Sequence, residues 1–138
     1  MKKIILLLTF ISYVYAINLH AQQAVEQSGI TTTSIGMVIY SNDTETVWNA
    51  LRLANYSKSE GDTVSIFLLG KGVEVDNLVN ENEDLKKQVD SFLEKGGTIF
   101  VCGTCLHSRK NDEPQVCTFS SLSDLYDIVR KNKIILTF

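Results

Sequence analysis

The sequence holds no run of basic residues, and past residue 21 no apolar stretch long enough to cross a bilayer. The first absence removes the electrostatic footprint of a nucleic-acid binder. The second leaves no later membrane span, which needs about 20 apolar residues. There is no internal repeat and no low-complexity tract, and the only proline is Pro114. Cysteine is scarce: three in 138 residues, at Cys102, Cys105 and Cys117. An odd, clustered set is not a framework that staples distant loops; it marks a site.

What is present begins with a three-part N-terminus. Lys2 and Lys3 precede an apolar run over residues 4–11 that continues loosely to Leu19, and small Ala16 and Ala21 precede polar Gln22-Gln23. That layout is a secretory signal peptide over residues 1–21, cut after Ala21, with an uncleaved anchor as the alternative. The expected location is outside the cytoplasm, periplasmic or secreted. Loss of Lys2 and Lys3 moves the net charge from −3 to −5 and leaves 117 residues, enough to bury about two-thirds of the unfolded surface. Residues 22–34 are polar and aperiodic, a flexible leader to a single domain over residues 35–138.

From residue 35 apolar strands alternate with helix-period segments. Strands are expected at 35–40, 63–69, 98–102, 116–119 and 133–138. Val47, Ala50, Leu51 and Ala54 recur at helical spacing after the capping-rich Ser41-Asn42-Asp43-Thr44. Residues 83–95 form a second helix, acidic at its start and followed by Gly96-Gly97. A short helical turn is expected at 73–80, a brief helix at 104–109, and a third helix after Ser121-Leu122-Ser123-Asp124. Nearly apolar strands alternating with helices imply an α/β fold: a mostly parallel sheet of about five strands, covered on both faces in three layers. The sequence leaves the strand order open.

In such sheets ligands meet the loops beyond the strand carboxyl ends. Cys102 ends the third strand and Cys105 opens the following turn. Free amides and a helix dipole there favour thiolate over thiol. Gly103 eases the turn, and Lys71, His107, Arg109 and Lys110 are candidates to add positive charge. Four readings of Cys102-Gly103-Thr104-Cys105 stand side by side: a zinc set with Cys117 and His107, a dithiol redox pair, a quiet local disulfide in a non-catalytic oligomeric interaction module, and a thiol that carries sulfur. Lys71 sits in a Gly-Lys-Gly segment too short for a phosphate loop, which reads as a flexible turn. His107 reads as a surface histidine and Cys117 as a small buried residue, although Cys117 is also a candidate resolving thiol. Trp48 and Phe92 read as packing residues.

The segment Ile99-Phe100-Val101-Cys102-Gly103-Thr104-Cys105-Leu106 after Gly96-Gly97 resembles the cysteine motif of the DsrE/DsrF-like family. Residues 67–73 and the segment from Ser121 to Ile128 are similar to that family as well, so the resemblance spans residues 35–138. It implies a flavodoxin-like α/β/α fold, a tendency to homo-oligomerise and, for several members, sulfur relay through a persulfide on the cysteine at position 102. Cys105 places the chain with the branch that carries C-G-T-C. On this reading Gly103, Thr104, Lys71, His107 and Arg109 line the site. The partners are sulfur donors and acceptors, either proteins or small sulfane-sulfur compounds. No cofactor and no metal are expected.

Overall fold

Strands β1 (Ser34–Ile39), β2 (Thr63–Leu68), β3 (Thr98–Cys102), β4 (Thr118–Ser120) and β5 (Ile134–Thr137) form one sheet in the order β4-β3-β2-β1-β5. Every neighbouring pair is parallel. This is a computed structural model, and it describes residues 31–111 and 113–138. The expected signal peptide and the leader up to residue 30 lie outside the described residues.

Helices α1 (Thr44–Ser59), α2 (Val75–Glu81), α3 (Glu83–Glu94), α4 (Gly103–His107) and α5 (Leu122–Lys131) connect the strands. Local chemistry sets their starts. Asp43 accepts from the Thr46 amide at 2.8 Å, Asn82 from the Leu85 amide at 2.8 Å, and Asp124 from the Ser121 amide at 2.7 Å. Each satisfies a backbone donor that the helix itself leaves open.

The chain steps from β1 to β2, β3 and β4 in one direction, then returns to place β5 on the far side of β1. Right-handed crossovers therefore put α1 and α3 on one face and α5 on the other. On the first face Met37, Ile39, Ile66, Leu68, Ile99 and Val101 pack with Val47, Leu51, Leu85 and Phe92 in one core. On the second, Phe67 and Ile128 are buried. The three-layer α/β/α architecture with five parallel strands agrees with the sequence. The strand order differs from that of flavodoxin itself, in which the first strand lies between the second and third.

Two elements are shifted from their expected places. The Gly-Lys-Gly segment is not a flexible turn: residues Gly70–Glu74 form a 3₁₀ helix that runs straight into α2. The cause is close backbone contact, since a Cβ on Gly72 would lie 2.1 Å from the Ile39 carbonyl oxygen. The fourth strand begins at Thr118 rather than residue 116, because the amides of Gln115 and Val116 are spent on the Asp76 carboxylate.

The Gly72 contact gives a stability prediction. Gly72→Ala forces two backbones apart and costs about 3 kcal/mol, near the upper end for overpacking. Gly96→Ala, at φ +70° with open space around it, costs only about 1 kcal/mol, the penalty of a left-handed residue. Urea unfolding midpoints of the two variants separate the effects.

Candidate functional site

The parallel sheet sends the carboxyl ends of β2 and β3 to the same side, and the two candidate thiols meet there. Cys102 keeps extended geometry (φ −62°, ψ 107°) and caps α4, its Sγ accepting from the Cys105 amide at 3.4 Å. The Gly70 amide, just past β2, donates to Cys105 Sγ at 3.4 Å. Both thiols are half-buried, and no disulfide joins them. Cys102 and Cys105 also share a side-chain hydrogen bond. The pair is thus held by backbone amides from two loops.

The sequence reading expected these amides to favour the thiolate of Cys102. The structure corrects this: the Cys102 pKa is raised above the ordinary cysteine value. Burial is the largest cause and the hydrogen bond to the Cys105 thiol adds to it. The amides of Cys105 and Thr104 oppose both and do not overcome them. Desolvation outweighs the donors, so the resting group is a protonated thiol.

Of the expected basic surround, Arg109 is engaged by other groups. Arg109 pairs with Glu74 (Nε to Oε1, 3.0 Å) and donates to the Cys105 carbonyl at 3.1 Å. Glu74 also accepts from Asn42 Nδ2 at 2.8 Å. Its carboxyl is held below the usual range, first by Asn42 and then by Arg109, with Lys71 contributing at longer range. This chain of contacts fastens the loop before α1, the 3₁₀ helix and α4 to one another. Lys71, Thr104, His107 and Lys110 are exposed at the surface. Gly103 is buried because the Phe119 ring lies against it: a Cβ there would be 2.3 Å from Phe119 Cε1. The glycine accommodates the close approach of a ring rather than an unusual φ, and a larger residue there has to displace the exposed Phe119 side chain.

Cys117 stands in a different environment. Asp76, only 2 % exposed, accepts from the Gln115 amide at 2.9 Å and the Val116 amide at 2.9 Å, tying the segment before β4 to α2. Burial drives the Cys117 thiol pKa strongly upward, and the Asp76 carboxylate beside it raises it further. Such a thiol is inert at neutral pH. Among the described residues no three His, Cys, Asp or Glu side chains converge on a metal position, so geometry lends nothing to the zinc alternative.

Sequence reasoning did not single out Asn42, Glu74, Asp76 or Phe119. Asp76 had a signal: it falls three residues from both Val73 and Val79, on an otherwise apolar helical stripe. The other three depend on contacts between segments far apart in sequence and carry no local mark.

Among solved structures, BT1422, a conserved protein of unknown function from Bacteroides thetaiotaomicron, superposes with a TM-score of 0.64. It is 20 % identical, and the match covers 77 % of this chain and 95 % of that one. At that identity the likeness speaks for the fold. No curated protein matches the chain. The model of the DsrE/DsrF-like family matches residues 33–138, the whole of the sheet and its helices. The chain belongs to the DsrE/DsrF-like family.

Proposed function

We propose that this protein is a sulfur carrier that works outside the cytoplasm, holding a persulfide on Cys102. The family links the chain to sulfur relay. The observation that supports the finer reading is the pair of half-exposed, hydrogen-bonded thiols at the carboxyl end of β3.

Cys102 gives up its proton to solvent as the donor arrives, and its thiolate attacks the outer sulfur of a persulfide R–S–SH. The donor S–S bond breaks, R–S⁻ leaves and takes a proton, and Cys102–S–SH forms. The Cys105 amide is placed to donate to the Cys102 sulfur in this charged state. Transfer to an acceptor thiolate reverses the exchange and restores the Cys102 thiol. Keeping the resting thiol protonated slows its oxidation. That suits an exported protein, which meets an oxidising compartment. The donors and acceptors are proteins or small sulfane-sulfur compounds. The carrier acts as a homo-oligomer, and Gly103, Thr104, Lys71, His107 and Arg109 form the approach to the thiols.

A second reading draws support from the same pair. The Cys105 thiolate attacks Cys102 Sγ in the persulfide, releasing HS⁻ and leaving a Cys102–Cys105 disulfide. An external dithiol then reduces the disulfide, supplying two electrons and two protons. In that case the protein exchanges thiols and disulfides rather than storing sulfur.

Incubation of the reduced protein with a sulfane-sulfur donor adds one sulfur atom to Cys102 by intact mass and peptide mapping, and Cys102→Ser abolishes the gain. An equal gain in that variant, or none in the wild type, sinks the carrier reading. Appearance of the Cys102–Cys105 disulfide instead of the added sulfur selects the second reading.

The raised pKa has a sign that alkylation can test. The rate at Cys102 keeps climbing with pH beyond the ordinary cysteine value rather than levelling there, because the reactive thiolate forms late. Cys105→Ala removes the neighbouring thiol that favours the protonated form, so the inflection moves to lower pH. Cys117 stays unlabelled in the native state across the same range.

A further inference from the structure

Cys105 is gripped at both ends by one element, the 3₁₀ helix Gly70–Glu74. The first amide of that helix donates to Cys105 Sγ at 3.4 Å. Its last residue, Glu74, accepts from Arg109 Nε at 3.0 Å, and Arg109 Nη1 donates to the Cys105 carbonyl at 3.1 Å. Glu74 is itself anchored by Asn42 Nδ2, 2.8 Å away in the loop after β1.

Helix α4 needs such a grip. It has five residues, too few to hold their place through hydrogen bonds of their own. Leu106 seats it in the core, a point about which so short a helix can turn. The Cys105 carbonyl also accepts from Ser108 Oγ at 2.8 Å, but Ser108 belongs to the same turn and ties it to nothing beyond. The Arg109–Glu74 pair instead joins the end of α4 to the body of the protein. Its side chains are 33 % and 35 % exposed, so water screens it less than a free surface pair. Cys102, by contrast, is fixed by β3, in register with Ser120. The separation of the two sulfurs therefore depends on how α4 is held.

We propose that Glu74 is a positioning residue: acting through Arg109, it holds Cys105 against Cys102 and so sets how readily Cys105 displaces a sulfur carried on Cys102. In that step the Cys105 thiolate attacks Cys102 Sγ of Cys102–S–SH, the bond to the outer sulfur breaks, HS⁻ leaves and the Cys102–Cys105 disulfide forms. Loosening the clamp lowers the effective concentration of Cys105 at Cys102, and the persulfide lasts longer before release. The inference rests on the reading of Cys102 as the sulfur-holding thiol, but its test needs no sulfur.

Equilibrium of the reduced protein with oxidised glutathione yields the Cys102–Cys105 disulfide and two reduced glutathiones, and its constant reads that effective concentration. Glu74→Ala and Arg109→Ala each lower the constant about fivefold, the upper range for such a pair, which raises the reduction potential by about 20 mV. The double variant lowers it no further, because both changes act through one contact. Gly96→Ala, which costs stability at the amino end of β3, leaves it unchanged. The shift is equal in mildly acid and mildly alkaline buffer, since it reports geometry and not charge on a thiolate. Peptide mapping confirms the disulfide. No shift in the single variants, additive shifts in the double variant or a shift toward the disulfide overturns the proposal. So does a shift confined to alkaline buffer, an equal shift in Gly96→Ala, or a pair that glutathione fails to join. Sulfur uptake on Cys102 is measured on the same variants. Uptake without the glutathione shift sinks the clamp and keeps the carrier; the shift without uptake does the reverse.

Discussion

The parallel hydrogen-bond ladder from β1 through β2 to β3 is the constraint on which the rest depends. A parallel sheet puts every strand's carboxyl end on one side, so residues far apart in sequence arrive at one rim without any dedicated motif. Gly70, two residues past β2, reaches the sulfur of Cys105, thirty-five residues later, for this reason alone. Close backbone approach tightens the same rim. Gly72 sits against the Ile39 carbonyl, and the 3₁₀ helix it permits carries Glu74 to Asn42 and Arg109.

At that rim two opposed terms act on one sulfur. Backbone amides of Cys105 and Thr104 stabilise the anion, while partial burial and the adjoining Cys105 thiol stabilise the neutral form. The second set wins, because removing a thiolate from water costs more than weak N–H···S contacts return. The rule that a strand-to-helix turn activates a cysteine presumes an exposed sulfur and a full helix, whereas α4 is five residues long. All three cysteines are half-buried; Cys102 and Cys105 adjoin one another at the rim, whereas the Cys117 thiol stands beside the Asp76 carboxylate, which together with desolvation holds it protonated.

The two faces of the sheet are unequally covered, and this follows from topology. Three crossovers run one way and a single one returns, so α1, α2 and α3 share one face and α5 stands alone on the other. A lone helix over five strands leaves apolar surface at its flanks, and Leu122, Tyr126 and Val129 are exposed there.

Composition and periodicity determined much of this by themselves. Short apolar runs between amphipathic segments require a covered parallel sheet, because such strands have no polar face to offer water. Asp43 and Ser121 mark helix starts through side chains that act locally, and Cys102-Gly103-Thr104-Cys105 marks the candidate site. What only the tertiary structure decided are the quantities set by distant neighbours. These are the strand order, the Phe119 ring that lies against Gly103, the Asp76 carboxylate that displaces the start of β4, and the protonation of Cys102. Each is fixed by desolvation or contact between segments some fifteen to forty residues apart or more, and no local pattern encodes the solvent exposure of a side chain whose cover arrives from elsewhere in the chain.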